Sequence, residues 1–453
     1  MPLLTLSDSL VDHFRCAELP VSFGLLGEHF GTPGYFRFGQ DTICYGRSCV
    51  GSPASHVNSP LPDLSAEVQV QNSTCLLPFD PAEIIEDLRR ERYASGYRPH
   101  TRAKRAYYLI RSWLPFALRK LLKRIVHRGW KQKRFPSWPV DRTVDKLFEE
   151  LMLLGMKASS MERVPFIWFW PKGYSGCVVM THDVEASAGL NFCPQLMDLD
   201  DSYGIKSSFQ FVPEGRYAIP EEFLAEIRIR GFEINVHDWN HDGLLFADHS
   251  VFRERAEKVN LFARSWGAQG FRAGALYRNT DWYDAFTLSY DMSVPNVGHL
   301  DPQPGGCCTV MPYFIGRMLE IPTTTTQDYT LFHLLGDYSI DLWQRQLDLI
   351  LEGNGLASFI VHPDYIIEPR ARTTYTKLLE HLSRIAEPQN VWMALPKEVN
   401  QWWRNRSQMR LVQKGSGWEI EGLGKEQARV AFATLDGNDL LYTFDAHPAV
   451  TVS

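Results

Sequence analysis

Between about residue 165 and residue 400, short strand-like runs alternate with helical ones, and this alternation limits the fold more than any other feature. The strand-like runs are GCVVMTHD, SSFQFV, FEINVH, GFRAG, LSYDMSV, MLEIPT, LASFIVH and NVWMAL. Helical periodicity separates most of them, as in PEEFLAEIRIRG, SVFRERAEKVNLFARSWG, DLWQRQLDLILEGNG and TYTKLLEHLSRIA. Alternating units of this length imply a parallel sheet. Seven or eight of them suggest a closed or nearly closed barrel.

The flanks read differently. Residues 1 to about 90 mix Gly, Pro and Ser with short apolar pieces, and GYFRFGQDTICYG fits a hairpin. After Trp403, MRLVQKGSGWEIEGLG and ARVAFATLDGNDLLYTF alternate around Gly turns, as a small antiparallel add-on does. The expected division is an N-terminal mixed extension (1–165), a barrel (166–403) and a small β tail (404–453).

Composition narrows the class. An apolar content of 44%, with 13 Trp and 26 Phe, is that of a globular chain. No apolar run approaches the roughly 20 residues needed to cross a bilayer. The opening MPLLTLSDSLVDHFRC lacks the basic and apolar regions of a secretory signal. Eight cysteines without a CxxC pair argue against a disulfide scaffold or zinc finger, so a cytoplasmic setting is expected. The net charge of −6 hides an asymmetry: Glu91 to Asp141 encloses fourteen Lys and Arg and no acid, leaving −20 on the remainder. Within that stretch YYLIRSWLPFALRKLLKRIV is basic and amphipathic. Residues 98–134 therefore fit either a membrane-surface contact at the inner membrane face or a helix docked on its own barrel. No nucleic-acid-binding motif accompanies the charge.

In β/α barrels the chemistry sits at the C-terminal ends of the strands. The first strand ends at Asp183 and Glu185, which share a face in an extended chain while His182 points away. The third ends NVHDWNH, giving His237 and His241, a spacing that puts two imidazoles on one side of a helical turn. Arg272 ends the fourth strand and His362 the seventh. Trp239, Tyr277, Trp282 and Tyr290 lie near these motifs, as a sugar-stacking floor or as core, and EIPTTTTQD brings a hydroxyl-rich loop to the same rim.

The order THDVE, HxxxH, an Arg motif and a strand-terminal His resembles the polysaccharide deacetylase family, the NodB homology domain of carbohydrate esterases, over about residues 170–400. The resemblance implies a distorted (β/α)7 barrel and metal-dependent removal of N- or O-acetyl groups from sugars. It implies Asp183 as catalytic base, Arg272 as the group orienting it and His362 as general acid. Glu185, His237 and His241 match the metal ligands, and Asp291 is what remains of the fourth motif, without its usual DW pair. The chain departs from the family in reading Asp-Val-Glu where two adjacent Asp are usual, and in lacking the proline of the Arg motif.

Two imidazoles and one carboxylate leave open positions on a divalent cation. Zinc is the expected ion; cobalt, nickel or manganese also suit the set. Asp364 or a neighbouring carboxylate is expected to keep His362 protonated. The expected substrate is an acetylated glycan or a lipid-linked sugar, with Trp239, Tyr277 and Asp291 contacting it. Two alternatives stand beside this: a metal-independent cyclic-amide hydrolase on the same barrel, and a non-catalytic glycan-binding relic.

Overall fold

The computed structural model describes residues 6–16, 21–28, 30–39, 41–71, 74–94 and 126–444. Most of the basic 98–134 stretch therefore lies outside the described residues. Contacts divide the chain into two units: Met1–Tyr93, Arg142–Tyr174 and Gln401–Ser453 form one, Ala94–Asp141 and Ser175–Asn400 the other.

The second unit holds the barrel. Its parallel strands are β1 (Gly176–Val184), β2 (Ser207–Phe211), β3 (Glu233–His237), β4 (Gly270–Arg272), β5 (Tyr290–Asp291), β6 (Met318–Glu320) and β7 (Leu356–Ile360). Neighbours run β6-β5-β4-β3-β2-β1-β7, each step parallel. The threonine-rich segment after β6 supplies bonds across the remaining gap. The amide of Thr323 donates to Val294 O (2.9 Å), while Thr325 N and Thr324 Oγ1 donate to the carbonyls of Ser358 (3.3 Å) and Leu356 (2.7 Å) on β7. This is a distorted (β/α)7 barrel, with Val391–Ala394 as an eighth strand beside the start of β1.

Side chains alternate across the barrel wall because successive residues of a strand face opposite sides. Val178, Met180, Phe209, Phe211, Ile234 and Phe359 pack outward against helices α1 (Ser187–Ser202), α2 (Glu221–Ile229), α4 (Asp341–Glu352) and α5 (Pro369–Ala386). The helix α3 (His249–Trp266) covers β3 and β4 through Phe252, Val259 and Ala263. Burying each such side chain contributes about 1.5–3 kcal/mol. Several of the residues between them are polar and paired with one another. Asn235 Nδ2 donates to Ser208 Oγ and to Tyr290 OH (both 2.8 Å), and Gln210 Nε2 to Ser208 Oγ (2.8 Å). Strands that read as plain apolar runs thus enclose a hydrogen-bonded interior. His182 faces outward as expected: its Nε2 meets the buried Asp200 carboxylate at 3.0 Å, and Tyr375 OH donates to the same carboxylate at 2.6 Å.

In the other unit the expected hairpin forms between Phe30–Arg37 and Ile43–Ser48. The tail forms antiparallel pairs, Arg410–Lys414 with Gly417–Glu421 among them, and it also joins an earlier strand. Val430–Asp436 pairs antiparallel with both Asp439–Phe444 and Arg163–Ile167, so the tail shares a sheet with the segment before the barrel. Such a pairing spans over 250 residues and leaves no local trace in the sequence. Arg406 reinforces it, donating to the carbonyls of His13, Phe14, Ile167 and Trp168 at 2.7–3.0 Å.

Candidate active site

Strand β1 delivers Asp183 to the barrel mouth, where Arg272 meets it from β4. Arg272 is fully buried, and its NH1 donates to Asp183 Oδ1 (3.2 Å) and Thr181 Oγ1 (2.9 Å), its Nε to Met292 O (3.1 Å). A buried guanidinium needs this pairing. Burial pushes the Asp183 carboxyl upward, but Arg272, then His237 and His362, outweigh it and hold the group below its usual range. Asp183 is an ionised base.

Beyond it, Glu185, His237 and His241 bring one ligand atom each to within 4.8 Å of one another. His237 Nδ1 faces the Arg272 carbonyl at 3.2 Å, which can only accept. That contact places the ring proton on Nδ1 and leaves the Nε2 lone pair unengaged in the buried site. His241 Nε2 lies 2.8 Å from Glu185 Oε1 without the alignment of a hydrogen bond. Arg216 holds His241 from behind, donating to its carbonyl at 2.7 Å and lying 3.4 Å from Nδ1. Burial drives the His237 pKa down to about 4, so this imidazole is neutral near pH 7. For His241 burial also acts downward, but the Glu185 carboxylate prevails and raises it. Buried imidazole nitrogens without partners, converging on a carboxylate, are the donor set of a divalent-cation site.

The HxxxH pair does not sit on a helix. His237 ends β3, and the chain then turns through left-handed backbone at Asp238 (φ 59°) and His241 (φ 55°). Only this sharp exit points both rings at Glu185. Gly274 makes room for it: a Cβ there would lie 2.4 Å from Asp238 Oδ2 and 3.2 Å from His241.

His362 follows β7. The carboxylate that supports it is Asp328, not Asp364. Asp328 Oδ1 lies 2.6 Å from His362 Nδ1, and Oδ2 accepts from the His362 amide at 2.7 Å. Burial favours neutral imidazole, but Asp328, then Glu185 and Asp183, overcome it and push the pKa up to about 10. Asp364 instead accepts from the amides of Glu185 (3.0 Å) and Gly189 (2.9 Å), tying down the turn that carries Glu185.

The three residues expected at the substrate make contacts within the protein. Asp291 is fully buried and accepts from Tyr283 OH (2.8 Å) and Ser293 Oγ (2.6 Å). Tyr277 is buried in the cluster around Phe252 and Phe286, and Trp239 packs beside it with Lys258 Nζ 4.1 Å from its ring centre. Trp282 stacks on Phe246, and Tyr290 OH bonds Glu233 inside the barrel. The aromatics beside His362 are others: Tyr365 (4.8 Å between ring centres), with Tyr329 and His333 against it at 5.6 and 5.0 Å. Their signal lay in the DY that follows TTTTQ and in HPDY, both adjoining site motifs.

Fold and side chains together define a β/α barrel with buried carboxylates and imidazoles gathered at its strand ends. No protein-family model matches the chain, and no curated relative does. Solved structures do. A protein assigned as a polysaccharide deacetylase from Mycobacterium smegmatis is 19% identical, with 52% of this chain aligned to 93% of that one at a TM-score of 0.42. The peptidoglycan deacetylase PdaC of Bacillus subtilis is 11% identical over 51% of this chain and 92% of its own, TM-score 0.33. A family 4 acetyl xylan esterase from Clostridium thermocellum, in complex with cobalt, is 14% identical over 50% and 91%, TM-score 0.32. These are likenesses over about half the chain, and the roles of the side chains rest on their own geometry.

Proposed function

We propose that the barrel is a divalent-cation-dependent deacetylase that hydrolyses the N-acetyl group of a sugar within a glycan or glycan precursor. The observation that carries this reading is the convergence of Glu185, His237 and His241, with two buried imidazole nitrogens lacking hydrogen-bond partners. Glu185 Oε1 and the Nε2 atoms of His237 and His241 would hold the ion, and zinc suits two imidazoles and a carboxylate. A bound ion supplies Lewis-acid polarisation and makes water easier to deprotonate.

The chain's own groups handle the protons. As the oxygen of water bonds to the acetyl carbon, Asp183 takes the water proton on the carboxylate that Arg272 orients. As the C–N bond breaks, His362 gives its Nε2 proton to the departing amine, and acetate leaves with the water oxygen. Asp328 keeps His362 charged until that transfer. The metal-independent cyclic-amide reading gives the convergence of two imidazole Nε2 atoms on Glu185 no task.

Acetate release from a panel of N-acetylated oligosaccharides tests the reading. Release should require added zinc or cobalt, stop on chelation and fall about 10²–10⁴-fold in Asp183→Asn. Acetate release that is indifferent to both chelator and Asp183→Asn would rule it out.

A further inference from the structure

The ring contacts beside His362 lead away from the cation site. Tyr365 touches His362, and His333 touches Tyr365. His333 belongs to the π-helical turn Thr330–Leu335, and the last two residues of that turn, with Leu300, form the apolar wall of a cleft of about 240 Å³. The opposite wall is the described end of the basic stretch, residues 127–132, and includes Arg128, Trp130 and Lys131. No acid lines this cleft among the described residues. Arg128 and Lys131 are exposed, and neither is paired with a carboxylate among the described residues.

Cations facing an apolar wall act in a lowered local dielectric, and a cleft lined by one sign of charge concentrates ions of the other. Arginine adds a planar fork that matches the oxygens of phosphate and carboxylate, and Trp130 adds a flat face for a sugar. Because His362 protonates the departing amine, the sugar that bears the amine lies on the His362 side. The ring contacts from there end at His333, and the next two residues of its turn line the cleft that Arg128 and Lys131 face. We infer that this cleft is an anion subsite of the deacetylase site, taking a phosphate or carboxylate carried by the acetylated substrate itself. The inference rests on the deacetylase reading and names the class of sugar.

The test compares three substrates on the full chain loaded with zinc. They are neutral N-acetylchitotetraose, the same oligosaccharide with a reducing-end phosphate, and an N-acetylated oligosaccharide alternating with glucuronic acid. One anionic substrate should show a KM about 10- to 100-fold below the neutral one, and which of the two does so distinguishes phosphate from carboxylate. Arg128→Ser/Lys131→Ser should abolish that preference while leaving hydrolysis of the neutral substrate unchanged. Equal KM values in the parent, or a preference surviving the double substitution, overturn the inference. Titration of inorganic pyrophosphate and of glucuronate reads the cleft without catalysis. Binding of either that weakens at least tenfold in the double variant supports the subsite even if no substrate releases acetate, a result that would sink only the deacetylase reading. A double variant that loses binding to phosphatidylglycerol vesicles but keeps the substrate preference would assign the cations to a membrane surface and overturn the subsite.

Discussion

At His362 two opposed effects meet. Burial disfavours the imidazolium, while Asp328, 2.6 Å from Nδ1, favours it more strongly and leaves the pKa at about 10. The protonated form that the proposed acid role requires therefore persists across neutral pH. Replacing Asp328 with Asn removes the raising charge and leaves burial, so the alkaline limb of the kcat/KM profile should move toward lower pH. Activity near pH 8 should fall roughly 10- to 100-fold, as expected when a partner that orients a catalytic group is lost. A profile recorded from pH 5 to 10 checks the direction, and an unmoved alkaline limb would show that Asp328 does not set this titration. The linked stability has the same sign. A raised folded pKa means His362 stabilises the fold fully below its ordinary 6.5, and that contribution is lost as pH rises toward about 10. His241 also has a raised pKa, so protons compete with the cation there, and apparent metal affinity should weaken as pH falls.

At the scale of elements, the strand ends place the groups and the turns aim them. The turn after β3 reaches the cation site only through left-handed Asp238 and His241, and it packs against a residue without a side chain. Gly274→Ala should displace the Asp238 carboxylate and with it His241, lowering zinc affinity about 10- to 100-fold, as loss of a supporting group does. Competition with a chelating dye measures this. Asp248 offers a contrast. It caps helix α3 by accepting from Ser250 N and Val251 N, both at 3.0 Å, and Asp248→Ala should cost about 1 kcal/mol by urea unfolding while leaving zinc affinity unchanged.

For the whole molecule, the candidate cation site joins the end of β1 to the exit of β3 and so links metal binding to the folded barrel. Glu185 and the two imidazoles converge only when β1, β2 and β3 are in register, so the unfolded chain lacks the site. Zinc at 100 times its Kd should therefore add about 2.7 kcal/mol of stability, and Glu185→Gln should abolish the gain. Calorimetry with and without chelator is the measurement. A core change acts independently of metal: Leu347→Ala, which empties a fully buried position under β1 and β7, should cost about 2–5 kcal/mol in either state.

What the sequence determined by itself was periodic or local. The run Gly176–Val184, the helix Asp341–Glu352 and the strand-end placement of Asp183, Glu185, Arg272 and His362 follow from patterns of apolar residues within a dozen positions. Only the tertiary structure decided which carboxylate serves His362. The sequence pointed to Asp364, two residues on; the partner is Asp328, 34 residues away, because the closing segment after β6 lies beside β7. The same holds for the tail strand at 430–436, which pairs with residues 163–167, and for the carboxylate of Asp291, which accepts from Tyr283 and Ser293. Periodicity encodes which face of an element is buried. Which distant partner fills the space opposite is set by the packing of the whole chain, and no local run of residues carries that information.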